Sequence, residues 1–323
     1  MNQSKSMQKK VVIIGGGNGS AISTNAMKQF IDDIELSSVI SMSDSGGSSG
    51  KLREEFDTLP PGDILRAVLA MSKYDYTVLR QIFNKNRIKG NSKSAEHSLG
   101  NLVLTLLEKY NGDYMSAVRA LEDAVEAQGH VYPTTLNKTD LVVKLDNGDI
   151  IKTEGVIDRP EYDKSLRIKK AWLEPEVNIF LEAKQKIEEA DCIIIGPGSL
   201  YCSVVATLLP TGTKEAIEKS KAKLIYVCGD AYEGIGETGP KKLSDFINEL
   251  ENYLPRKLDT IIFNNAKLSD EQKKQYAEKK WNLIEFDEEN LKEHNIVAGD
   301  FEKKTGGLDP EKLGNILKEL NCN

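Results

Sequence analysis

The residues best suited to chemistry lie in short runs of small side chains. In residues 41–50, Ser-Met-Ser-Asp-Ser-Gly-Gly-Ser-Ser-Gly, one carboxylate, Asp44, precedes three glycines and several hydroxyls. Gly46, Gly47, Ser48 and Ser49 are small enough for their backbone N–H groups to turn unobstructed toward an anion. The helix-compatible Lys51-Leu52-Arg53-Glu54-Glu55 follows, and a helix starting there would add its positive end. Such composition most commonly marks a flexible linker. This run is short and wedged between two structured stretches, so it reads as an anion- or nucleotide-binding loop.

Two further runs repeat the pattern. Gly15-Gly16-Gly17-Asn18-Gly19-Ser20 follows the apolar Val11–Ile14, and Gly196-Pro197-Gly198-Ser199-Leu200-Tyr201 follows Asp191–Ile195. Each is a strand–glycine–helix junction, which favours phosphate at the helix N-terminus. The dinucleotide fingerprint G-x-G-x-x-G is only half present, because Gly15 and Gly17 fit while Ser20 holds the third glycine position. Leu36–Met42 is the strand leading into the Asp44 run. In an open parallel sheet the carboxyl ends of adjacent strands form the ligand crevice, and the three junctions would face it together.

The elements that must position these loops can be read along the chain. Pro60-Pro61-Gly62-Asp63 turns into an apolar helix, and Asp63 is either its N-cap or a ligand contact. Residues 85–95 form a basic, polar surface loop. His97 and Asn101, four apart on the next helix, share a face and are candidates for either packing or the site. Leu141–Leu145, Asp146-Asn147-Gly148-Asp149 and Ile150–Thr153 predict a β-hairpin with a type I′ turn, and Arg167–Trp172 another strand. Residues 131–173 therefore read as a small antiparallel insertion within a single α/β domain spanning 1–323. Further strands are expected at Ala222–Val227 and at Asp259–Phe263, the latter ending in Asn264-Asn265, with a last helix over Asp309–Leu320. Alternating strands and helices predict a mostly parallel, doubly wound sheet.

Composition removes several function classes. Of 323 residues, 39% are hydrophobic and 29% charged, an ordinary soluble globular balance. The net charge of −7, with no long basic block, argues against nucleic acid as a partner. Four cysteines (Cys192, Cys202, Cys228, Cys322) are widely spaced, mostly in or beside apolar runs, and read as buried free thiols. Three histidines and no His/Cys cluster leave no basis for a zinc site. No apolar run is long enough for a signal-peptide core or a membrane span, so the expected location is the cytoplasm.

Taken together, Gly15-Gly16-Gly17-x-Gly19, Asp44-x-Gly46-Gly47-Ser48-Ser49-Gly50-x-Leu52-Arg53, Pro60-Pro61-Gly62-Asp63-Ile64, His97-Ser98-Leu99-Gly100-Asn101-Leu102 and Gly196-Pro197-Gly198-Ser199-Leu200-Tyr201 resemble the signature of the YvcK-type gluconeogenesis factors. These form one branch of the CofD-like superfamily. The resemblance spans the chain, including Asp309-Pro310-Glu311-Lys312-Leu313 near its end. It implies a Rossmann-like three-layer α/β/α fold. The enzyme branch transfers a 2-phospholactyl group from a nucleotide diphosphate to a deazaflavin precursor, using Mg²⁺. The YvcK branch is a cytoplasmic factor for cell shape and wall synthesis on gluconeogenic carbon, binding UDP-sugars such as UDP-N-acetylglucosamine.

By this resemblance the ligand is a UDP-sugar or related nucleotide diphosphate. The amides of Gly16–Gly19, Gly46–Ser49 and Gly198–Ser199 would hold its diphosphate, with Gly62, His97, Gly196 and Tyr201 in the same motifs. Asn101, Asn264 or Asn265 would read ribose, base or sugar. Asp44 and Asp63 are the candidate catalytic and Mg²⁺-binding residues if transfer chemistry is present, and a homodimer is expected. The chain departs from the family pattern at Asn18, which stands for a threonine, and at Ser45, which stands for the second residue of an acidic pair. It departs again at Gly62-Asp63-Ile64-Leu65, where Arg66 is displaced by one, and at Gly229-Asp230-Ala231-Tyr232, which replaces an asparagine-containing loop.

Overall fold

Seven strands form one wholly parallel sheet in the computed structural model, which describes residues 8–88, 96–320 and 322. Among the described residues the strands are, in chain order, β1 (Lys9–Gly15), β2 (Ile34–Ile40), β3 (His130–Pro133), β4 (Asp140–Leu145), β5 (Ile150–Lys152), β6 (Ile168–Glu174), β7 (Cys192–Ile195), β8 (Lys223–Cys228), β9 (Ala231–Glu233), β10 (Thr260–Asn264), β11 (Trp281–Leu283) and β12 (Ile296–Gly299). The main sheet runs β12-β10-β8-β7-β1-β2-β3, with every neighbouring pair parallel. Two faces must be covered, so the strands are continuous apolar runs: Val11, Ile13 and Ile14 are fully buried.

The side-chain period of two separates two cores. Val12, Ile14, Ile193, Ile195 and Tyr226 point to one, while Val11, Ile13, Ile194 and Ile225 point to the other. On the second face lie helices α1 (Gly17–Lys28) and α3 (Gly62–Met71), with Tyr114–Ala124 and Pro310–Glu319. The first face is covered by the helices Leu181–Glu188, Thr213–Ser220 and Leu243–Glu251 and by the antiparallel sheet β5-β4-β6. Helix layers on both sides of a parallel sheet make the three-layer α/β/α arrangement that the pattern predicts. Each fully buried Ile or Leu contributes about 1.5–3 kcal/mol, so these runs dominate stability as well as topology.

Several expectations shift. The antiparallel segment begins after β3, because residues 131–133 pair in parallel with β2. The hairpin turn is not type I′. Only Gly148 has positive φ (96°), and the Leu145 carbonyl accepts from Gly148 N at 3.0 Å, giving a three-residue loop closed by a left-handed glycine. The Asn147 side chain instead accepts from Asp149 N at 3.0 Å. Strands β9, β11 and β12 are too short to stand out as patterns. Of the basic loop 85–95, residues 89–95 lie outside the described residues.

The cysteine expectation is corrected in part. Cys202 and Cys228 are buried and free, but Cys192 and Cys322 form a disulfide. The fold returns the chain's last described residue to the start of β7, leaving Cα atoms 5.6 Å apart across 130 residues. No spacing rule reports such a contact.

Candidate functional site

The strand order reverses between β1 and β7. The chain leaves β1 toward β2 and β3, then crosses back to build β7, β8, β10 and β12. At such a switch point the loops after the strands diverge and leave a crevice. Here a cavity of about 860 Å³ opens at the carboxyl ends of β1, β2, β7 and β8.

Two helices aim their N-termini into it. α1 starts at Gly17, which has φ 62°, and α2 (Gly47–Phe56) starts at Gly47, with φ 47°. Both conformations are open to glycine at little cost. A Cβ on Gly19 would lie 2.0 Å from the Pro197 carbonyl oxygen, so only glycine lets α1 approach the β7 loop. The first amides of α1 and α2 lack intrahelical acceptors and carry the positive end of each dipole.

Carboxylates converge on these amides. Asp44 Oδ1 accepts from Gly46 N at 2.9 Å. Asp63 accepts from Gly17 N and pairs with Arg66. Burial, opposed by Arg66 and reinforced by the Asp44 charge, pushes the Asp63 carboxyl up to about 6. Glu154, on the short helix Glu154–Asp158, accepts from Ser45 N at 3.2 Å. Burial and then the Asp44 charge raise it to about 9. Burial also raises Asp158. The carboxylate missing at position 45 is thus supplied in space by Glu154.

A polar relay adjoins the α2 N-terminus. Asn101 Nδ2 donates to Ser48 Oγ at 3.0 Å, and Ser48 Oγ lies 3.0 Å from His97 Nδ1, with the imidazole tautomer setting which of the two donates. Asn101 is 3% exposed, and its Oδ1 has no partner among the described residues.

The third junction differs. The N–H of Tyr201 donates to Glu237 Oε1 at 3.0 Å and to Oε2 at 3.1 Å, while Cys202 N donates to Oε2 at 2.8 Å. Burial raises the Glu237 carboxyl, and these N–H bonds oppose the rise. Glu237 thus occupies the first amides of this helix, two residues beyond the Gly198 and Ser199 amides expected to hold phosphate.

The cavity wall takes Gly16, Gly17, Asn18 and Gly19 from the first loop, and Asp44, Gly46, Gly47, Ser48 and Ser49 from the second. Gly198 and Ser199 of the third loop, with Asp63 and Asn101, also line it. Other expected residues stand behind or away from it. A Cβ on Gly62 would meet Ser49 Oγ at 2.4 Å and Asp44 Oδ2 at 3.0 Å, so Gly62 lets α3 pack on the Asp44 loop. His97 is buried behind Ser48. The Gly196 carbonyl accepts from Ser23 Oγ at 2.7 Å, and the Tyr201 hydroxyl turns away to Glu249. Asn264 donates to Glu302 at 2.6 Å and accepts from Phe301 N at 2.9 Å, while Asn265 is exposed outside the wall.

Residues that the sequence did not mark as site candidates also line the cavity, among them Arg87, Glu154, Asp158, Glu237 and Trp281, together with the displaced Arg66. Glu154 and Asp158 are four apart, and Glu237 lies in a glycine-rich loop. Those spacings were the only local signals, and both are common on surfaces.

The acids fit a hard divalent cation better than a soft one. Asp44, Asp63 and Glu154 supply oxygen donors, and the Asp44 charge is close enough to raise the proton affinity of the other two. The ligand atoms of Glu154, Asp158 and Cys202 also lie within 4.8 Å of one another. Burial holds the Cys202 thiol well above its ordinary range, which argues against a thiolate ligand.

The comparisons agree with this architecture. Residues 11–301 match the family described as 2-phospho-L-lactate transferase CofD. A relative from Thermotoga maritima is 37% identical over 292 residues, 90% of each chain. The gluconeogenesis factor of Bacillus subtilis is 33% identical over 285 residues, covering 88% of this chain and 87% of that one. A crystal structure of a UPF0052 family member from Bacillus halodurans superposes with a TM-score of 0.87 at 28% identity, covering 97% of this chain and 99% of that one. No helix among the described residues is long and apolar enough to cross a membrane. The motifs, the switch-point cavity and these likenesses converge, and the chain belongs to the CofD-like family, with the gluconeogenesis factors as its relatives.

Proposed function

We propose that this protein binds a UDP-sugar or related nucleotide diphosphate and acts as a cytoplasmic regulatory factor for cell shape and wall synthesis during gluconeogenic growth. The observation carrying this reading is the pair of helix N-termini, α1 and α2, aimed from adjacent strands into one cavity. The diphosphate would lie across their amides, with Arg66 and Arg87 as the nearby cations of the wall. The unpartnered Asn101 Oδ1 would accept an N–H or O–H of the ligand. Tyr232 and Trp281 would offer aromatic faces to the base.

An anion entering beside Asp44 and Asp63 meets like charge, while Glu154, raised to about 9, is protonated near neutral pH. Asp44 and Asp63 are therefore the residues that would hold Mg²⁺ beside the phosphates. Bound there, Mg²⁺ would neutralise the phosphate oxygens and polarise the bond to a leaving group. The same carboxylates favour a second reading, a CofD-like transferase moving a 2-phospholactyl group to a deazaflavin acceptor. A homodimer is the assembly we propose, to be checked by light scattering.

Calorimetric titration with UDP-N-acetylglucosamine, with and without Mg²⁺, tests the first reading. Binding that weakens without Mg²⁺ and in Asp44→Asn supports it, and failure to bind any UDP-sugar ends it. Turnover of a phospholactyl-nucleotide donor with a deazaflavin acceptor would establish the second.

A further inference from the structure

We propose that Glu237 is the resident anion of the third glycine loop, excluding phosphate there and making that loop a subsite for hydroxyl groups on the ligand's sugar portion. This rests on the nucleotide-sugar reading above and refines it.

Three strand–glycine–helix junctions meet at the cavity, and they are not equivalent. At the third, the backbone N–H groups of Tyr201 and Cys202 already donate to the Glu237 carboxylate at 2.8–3.1 Å. A phosphate seated on this helix N-terminus would need the same two donors. It would also place a second anion against Glu237, in a pocket where like charges repel strongly. At the first two loops Asp63, Glu154 and Asp44 take Gly17 N, Ser45 N and Gly46 N, and the diphosphate is assigned to the amides that follow them.

Glu237 is held in place. Gly236 N donates to Glu233 O at 3.0 Å, Gly239 N donates to Glu237 O at 3.1 Å, and Thr238 Oγ1 lies 3.2 Å from the Tyr162 hydroxyl. The side chain is half-buried and lines the cavity. A carboxylate offers about four lone-pair positions, and the backbone contacts use three at most. The Cys202 thiol is a further partner, and because Glu237 lines the cavity, what capacity remains accepts only from donors. An uncharged, hydroxyl-bearing ring suits it, whereas a phosphate does not. This is the physics by which an acidic residue reads a ribose diol in other nucleotide folds, reached here from a different place in the chain.

The test titrates UDP, UDP-N-acetylglucosamine and inorganic pyrophosphate, with Mg²⁺, into the wild type, Glu237→Gln and Glu237→Ala. Thermal melts establish that each variant folds, and the near-isosteric Gln guards against loss of structure in Ala. The expected result is a loss of about tenfold or more in affinity for UDP-N-acetylglucosamine in both variants, as for a lost charge-assisted hydrogen bond. Pyrophosphate should bind Glu237→Ala at least as tightly as wild type. A loss shared by UDP places the ribose at Glu237; a loss confined to UDP-N-acetylglucosamine places the attached pyranose there. Variants that bind every ligand more tightly would overturn the proposal, since Glu237 would then be a competitor that the ligand displaces. Sugar-nucleotide affinities unchanged within twofold would also overturn it. If wild type binds neither UDP compound, the preceding section's reading fails together with the hydroxyl subsite. The pyrophosphate arm then still decides whether Glu237 blocks the loop.

Discussion

Ser45 and Glu154 hold each other across 109 residues of chain: Ser45 N donates to Glu154 Oε2 at 3.2 Å, and Ser45 Oγ accepts from Gly155 N at 2.8 Å. This reciprocal pair ties the segment after the antiparallel hairpin to the loop carrying Asp44. Ser45→Ala removes one acceptor and orphans the Gly155 amide. It should lower stability by about 1 kcal/mol and speed amide exchange over 154–158, measured by hydrogen–deuterium exchange. Unchanged exchange there would mean that the latch is not holding the segment.

Gly19→Ala should be among the most damaging single substitutions in the chain. Its Cβ would sit 2.0 Å from the Pro197 oxygen and 2.4 Å from the Pro197 carbonyl carbon, and backbone cannot rotate away. A loss of about 3 kcal/mol is expected in denaturant titration, with loss of ligand binding as α1 is pushed off the β7 loop. A variant of wild-type stability would show that this approach is looser than described.

A pH-dependent element lies just behind the cavity wall, where Asp230 sits between the lining residues Gly229 and Ala231. The Tyr276 hydroxyl is 2.7 Å from Asp230 Oδ2 and 2.9 Å from Glu302 Oε1, and its single proton serves only one of them. Burial raises the Asp230 carboxyl from 3.8 to about 6, with the Glu302 charge adding to it and the Tyr276 bond opposing. The folded state then binds a proton more tightly than the unfolded chain. This contribution is complete below about pH 4 and is lost as pH rises through about 6. Asp230→Asn removes the titration, so its stability relative to wild type should improve across that window by about 2–3 kcal/mol. Urea unfolding at pH 4.5, 6 and 7.5 measures this, and a difference that does not vary with pH would refute it.

The disulfide makes a countable prediction. Unreduced, denatured protein should show two reactive thiols, Cys202 and Cys228, and four after reduction. Closing a loop of 130 residues should stabilise the oxidised form by roughly 3–5 kcal/mol, so reductant and Cys322→Ser should lower the unfolding midpoint to a similar degree. Four thiols without reductant would contradict the pairing.

By itself the sequence determined the local grammar of this protein. Apolar β-branched runs ending in Gly15, in the Asp44 run and in Gly196 named three strand–glycine–helix junctions, because burial on two faces and left-handed turns act on residues adjacent in the chain. The alternation of strands and helices likewise implied the parallel sheet and its crevice. Only the tertiary structure decided how the three loops differ. It brought Glu154 to Ser45, set Glu237 on the amides of Tyr201 and Cys202, turned Asn264 toward Glu302, and joined Cys192 to Cys322. Each of those contacts depends on which crossover packs against which strand end. A carboxylate on a loop has the same local pattern whether it faces solvent or fills an anion site.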